Sequence, residues 1–120
     1  MYFARMKGAG TSTPWGVSQY SHPIIRGAVF YGTEGHGGMR VSERLAEKMS
    51  EYAKRHSINQ NGAFWFEEDC AISLALYEFL NIPQYAEKVL GWCSKGGTIE
   101  EQKARLEETI KRWYSDYQLA

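Results

Sequence analysis

The chain has 120 residues, 43% of them hydrophobic and 23% charged, a composition that suits one soluble globular domain with a core of its own. Fourteen Lys and Arg balance fourteen Asp and Glu, and neither sign forms a long block, which argues against bulk nucleic-acid binding while leaving room for one local anion pocket. No apolar run is long enough to span a bilayer, and the N-terminus MYFARMKGAG lacks an apolar core with a small-residue cleavage site, so the expected location is the cytoplasm, with no membrane partner.

Residues 1–13, rich in Gly, Ser and Thr and without a period, read as a flexible or peripheral arm, followed by one compact domain over 14–120. Ile24 to Thr33 is β-branched and aromatic and reads as a strand, with Met39-Arg40-Val41 returning beside it. Val17 to Tyr20 reads as a further strand, ended by His22-Pro23, because a residue before proline is driven towards extended geometry. Ser42 suits an N-cap, and Leu45, Met49 and Tyr52 predict one helix running to about Arg55.

Asn59 to Gly62 is turn chemistry. Beyond it, Cys70, Leu74 and Tyr77 together with Ile72, Leu76, Phe79 and Leu80 lay down two adjacent apolar stripes, which predict a central helix stopping at Asn81-Ile82-Pro83. Pro83 can open the next helix, whose face carries Ala86, Val89, Leu90 and Cys93 and which Gly96-Gly97 would close. Thr98 with Glu101 forms a capping box for a last helix with Leu106, Ile110, Trp113 and Tyr117 in one stripe, available for core packing or for homo-oligomer contact. Together these elements predict an α+β fold, a small N-terminal antiparallel sheet packed against about four helices. Cys70 and Cys93 show no CxxC or His/Cys spacing and read as buried free thiols; no metal site and no cofactor motif is read.

Three segments can carry chemistry. In YGTEGHGG, residues 31–38, Gly35, Gly37 and Gly38 can reach positive φ and expose consecutive N–H groups as a nest for a phosphate or carboxylate, with His36 at its centre; the same glycines would also serve a wide hairpin loop. In FWFEEDC, residues 64–70, three aromatics and the acids Glu67, Glu68 and Asp69 lead into the central helix. Acids are expected in a first helical turn, and one desolvated by Trp65 or Phe66 could instead act as a general acid, Glu68 being the one expected to face inward. In TPWG, residues 13–16, Pro14 and Gly16 fix a turn and Trp15 either plugs the core edge or stacks on a ring.

TPWGVSQ, YGTEGHGG followed by Met39-Arg40-Val41-Ser42, and WFEEDC occur in this order, over roughly residues 13 to 80, in a family of small proteins from bacteriophages and bacterial mobile elements known only as a domain of unknown function. The chain resembles a short member of it. The resemblance implies a phage-type origin, hence the host cytoplasm. It marks Trp15, Gly16, His36, Gly37, Gly38, Trp65, Glu67, Glu68 and Asp69 as motif positions and implies no reaction.

The resemblance, by analogy with small phage inhibitors, implies an inhibitory role against host defence, and the residues suggest a binding protein. Its expected site is Trp15, Gly35, His36, Gly37, Gly38, Trp65, Glu67 and Glu68, holding a small anionic or nucleotide-like ligand or a host defence protein. The alternatives are a small hydrolase or transferase using His36 with Glu68 or Asp69, and a virion or assembly component joined through the last helix.

Overall fold

Thr13 holds the first turn. Its Oγ1 donates to Gly16 O at 2.7 Å and accepts from Trp15 N at 3.1 Å, folding β1 (Ser12–Thr13) back on β2 (Gly16–Val17) as a two-stranded ribbon. The computed structural model describes residues 8–93 and 96–119, so most of the expected arm lies outside the described residues, whereas 8–13 belong to this ribbon and its approach.

A five-stranded antiparallel sheet follows, in the order β3-β4-β5-β7-β6. The stretch expected as one strand from Ile24 to Thr33 is divided at Arg26-Gly27, where Gly27 takes φ +96°, into β3 (Tyr20–Ile25) and β4 (Ala28–Gly32). His22-Pro23 does not end a strand but lies within β3; this is an edge strand, where a missing N–H costs no ladder bond, and the register shifts between Pro23 and Ile25. β5 (Gly37–Ser42) is the expected return strand. Asn61 and Gly62, at φ 53° and 70°, make a two-residue loop between β6 (Ile58–Gln60) and β7 (Ala63–Glu67). β7 corrects the expectation that Phe64-Trp65-Phe66 merely lead into a helix.

Ser42 caps α1 (Glu43–Ala46) as expected, but the helix stops early. Glu78 takes the backbone N–H of Ser50 at 2.8 Å and its hydroxyl at 2.5 Å, which draws Ser50 out of helical geometry and makes it the N-cap of a second short helix, α2 (Glu51–Arg55). α3 (Ala71–Leu80) is central, with nine of its ten residues buried. Pro83 opens α4 (Pro83–Trp92), and the capping box opens α5 (Ile99–Trp113). Tyr117 lies beyond α5, and Trp113 is 59% exposed rather than part of a buried stripe. Cys93 is the C-cap of α4 and packs partly buried against the core, and both cysteines are free and half-buried rather than fully buried.

Side-chain alternation gives the sheet two faces. Phe30, Met39, Val41 and Phe66 point into one core with α3 and its neighbours, each large apolar side chain contributing about 1.5–3 kcal/mol when fully buried. Tyr31, Gly38, Arg40, Trp65 and Glu67 occupy the alternate positions. Trp65 is only 1% exposed yet stands outside that core, because it is covered on the opposite face. Among the described residues no helix is long and apolar enough to cross a membrane.

Candidate functional site

One end of the sheet collects the three sequence segments. The β4–β5 connection is tight: Thr33 N donates to His36 O at 2.7 Å, and His36 N donates to Thr33 Oγ1 at 3.2 Å, leaving only Glu34 and Gly35 at the tip. Gly37 and Gly38 are not in the loop. They stand in β5 opposite Gly32 and Tyr31, with Glu67 across from Gly38 on the other flank. Neither they nor Gly35 has a positive φ. Successive N–H groups of a strand point to opposite sides, so the expected nest of converging donors does not form, and this corrects the anion-cradle expectation at Gly35, Gly37 and Gly38.

These glycines answer to proximity instead. A Cβ on Gly38 would lie 2.3 Å from Trp15 Cη2 and 2.5 Å from Phe66 O; one on Gly37 would lie 2.9 Å from Tyr31 O. Trp15, half-buried, therefore lies flush on the strand and meets Trp65 edge to face, ring centres 6.0 Å apart at 78°. Tyr31 is 5.8 Å from Trp65, and the Arg40 guanidinium stands 6.0 Å from the same ring. The indole N–H of Trp65 donates to Gln60 O at 2.8 Å, so its polar edge is satisfied while its rings pack. Tyr31 and Arg40 were not among the expected site residues, although their position two residues from Gly38 or directly across from it is the signal that alternation carries.

The acids separate in role. Glu67 accepts from Asp69 N at 2.7 Å, Cys70 N at 2.6 Å and Ala71 N at 2.9 Å, so its carboxylate caps α3 in place of Cys70, which has no capping bond. Glu68 N donates to Gly37 O at 2.9 Å and ties this turn to β5. The side chains of Glu68 and Asp69 are exposed, as is His36, and the His36 imidazole has no hydrogen-bond partner among the described residues. Glu68 is therefore not the inward acid that the sequence suggested. Burial first, then the charges of Glu67 and Asp69, push the Cys70 thiol up, which keeps it protonated and a poor nucleophile. No group of three potential metal ligands occurs among the described residues. A cavity of about 560 Å³ bounded by Pro83, Glu87, Ile99 and Lys103 touches none of these motifs, and one of about 500 Å³ bounded by Glu43, Lys54 and Phe64 touches them at Phe64 alone.

A second cluster has no counterpart in the sequence reading. Tyr52 donates to Asp116 Oδ1 at 2.5 Å, Tyr117 donates to Glu78 Oε2 at 2.7 Å, and the His56 ring lies 4.6 Å from Tyr52 and 4.8 Å from Tyr114. Burial and the facing carboxylate push Tyr52 up to about 12; burial, then Cys70 and Glu67, do the same to Tyr114. Held as phenols, these groups fasten residues 114–117 to α2 and α3 and serve the fold.

A helix-backed antiparallel sheet with two tryptophans clamped on its other face defines an α+β domain built around an aromatic patch. The chain belongs to the DUF7007 family, a domain of unknown function whose model matches residues 8–120 and so extends through α4 and α5. No curated protein and no solved structure matches the chain.

Proposed function

We propose that this is a small binding protein of phage or mobile-element type, acting in the host cytoplasm, that captures a ring-bearing, negatively charged small molecule of nucleotide-like chemistry. The observation that supports it is the grouping of Trp15, Trp65 and Tyr31 with the Arg40 guanidinium over a glycine floor at Gly38. Flat rings stack on such side chains, and a guanidinium is the natural partner of a phosphate or carboxylate. Capture in place of turnover is favoured at this site because, among the described residues, the His36 imidazole has no hydrogen-bond partner, Glu68 and Asp69 are exposed, and the Cys70 thiol is held protonated. In a phage setting, holding such a molecule would withdraw a host defence signal. Val17, 65% exposed on the ribbon that carries Trp15, favours a second reading in which a host protein docks there.

The test is a thermal-shift and calorimetric survey of mono- and dinucleotides against the wild type and Arg40→Ala. A ligand at about 100 times its Kd stabilises by about 2.7 kcal/mol, a rise of several degrees for a domain of this size. Recovery of the ligand unchanged and loss of the shift in Arg40→Ala are expected. A panel that moves nothing, or an Arg40→Ala variant that binds as tightly as the wild type, would overturn the proposal.

A further inference from the structure

Trp65 is fully covered, so a ring can reach it only where something else now lies. The cover is Trp15. Its six-membered ring sits on Gly38, where no side chain intervenes, and meets Trp65 in a T-shaped contact, while Tyr31 and Arg40 stand against the Trp65 ring. This is the seat that a flat ligand ring would take.

The element carrying Trp15 is weakly supported. β1 and β2 have two residues each and, among the described residues, pair only with one another; a two-stranded ribbon by itself is marginal in water. Bonds from within shape residues 10–18: Gly10 N to Ser18 O at 2.8 Å, Ser18 N to Thr11 O at 2.8 Å, and Thr11 N to the Ser18 hydroxyl at 3.0 Å. The segment is pinned at both ends, by Gly8 against Ser21 and by Gln19 N donating to Gly32 O at 2.7 Å. Between the pins, Ser12, Gly16 and Val17 face solvent, and the large side chain reaching the sheet is Trp15.

We infer that residues 10–18 form a lid over the Trp65–Arg40 patch, with Trp15 as a plug that holds the place of the ligand ring. The inference rests on the binding function proposed above and adds its regulation: the patch opens when the ribbon lifts, and a planar aromatic anion competes with Trp15 for the slot. Local opening of a poorly supported segment, with the sheet intact, is the physical basis.

Two measurements decide it. Hydrogen exchange on the wild type should show the ribbon amides opening about tenfold or more often than those of β4 and β5 without global unfolding. Ribbon amides as protected as the sheet would overturn the lid. The probe for the slot is 8-anilinonaphthalene-1-sulfonate, itself an aromatic anion: Trp15→Ala should bind one equivalent about tenfold more tightly than the wild type, and Trp15→Ala/Arg40→Ala should lose that gain. A natively folded Trp15→Ala that binds the dye no better, or whose binding ignores Arg40→Ala, would also overturn it. Should Trp15→Ala fail to fold, the exchange result on the wild type decides alone. An opening ribbon and a dye site with no nucleotide bound would leave the lid standing and remove the proposed ligand class; nucleotides that bind the wild type while ribbon exchange is unchanged would do the reverse.

Discussion

Trp15 and Gly38 are in direct contact across 23 positions of sequence, so close that a Cβ at residue 38 would fall 2.3 Å from Trp15 Cη2. The glycine is required by the tryptophan, and the two motifs that seemed separate in the chain are one piece of packing.

Gly38→Ala should therefore expel Trp15 from its seat and strain the strand against Phe66 O, also only 2.5 Å away, at a cost of about 1–3 kcal/mol. Gly35→Ala meets nothing within 4 Å and needs no positive φ, so it should be neutral or stabilising by about 0.4–1 kcal/mol. Urea denaturation of both variants, with tryptophan emission shifting to the red only in Gly38→Ala, checks the contrast. Equal effects would contradict the packing account.

Glu67 and Glu68 are neighbours with opposite expectations. Glu67→Ala removes the acceptor of three backbone N–H groups at the start of α3 and should cost about 1–3 kcal/mol. Glu68→Ala keeps its backbone bond to Gly37 O and should change stability by less than about 0.5 kcal/mol. Thermal unfolding of the pair suffices to tell them apart.

The pH profile should fall at both extremes through Tyr52 and Asp116. The hydrogen bond from Tyr52 holds the Asp116 carboxyl below its ordinary 3.8, so that contribution is complete above this value and fades as pH drops through the lower folded one. Tyr52 is raised from 10.0 to about 12, so its contribution is complete below 10.0 and is lost as pH climbs through about 12. Tyr52→Phe should flatten the acid side and reduce the alkaline loss, Tyr114 still titrating near 12. Melting temperature against pH, for wild type and variant, is the measurement.

In α5, Ile110 and Trp113 should behave oppositely to their size. Ile110, 1% exposed, should cost about 2–5 kcal/mol on change to Ala, whereas Trp113→Ala, at a 59% exposed site, should cost less than about 1 kcal/mol. Sedimentation of wild type and Trp113→Ala at high concentration adds a readout on contact between copies of the chain, which should weaken in the variant if α5 joins them.

What the sequence determined by itself were the features whose causes lie within a few residues. The Thr98–Glu101 capping box, Pro83 at a helix start, the Ser42 cap, the Asn61-Gly62 turn and the apolar stripes of α3 each act through bonds or periodicity spanning one turn or one hairpin. Tertiary structure decided the rest, because the partners are distant in the chain. Glu78 breaks the helix at Ser50 from 28 residues away. Phe64 to Glu67 pairs with β5 and β6 as a strand, and because Phe66 is covered by the helical core and Trp65 by Trp15, Tyr31 and Arg40, the polar alternation that would have announced it is erased. The motifs at Trp15, Gly38 and Trp65 could be singled out in the chain, but their roles could not: whether a glycine cradles an anion or makes room for an indole depends on what folds down upon it.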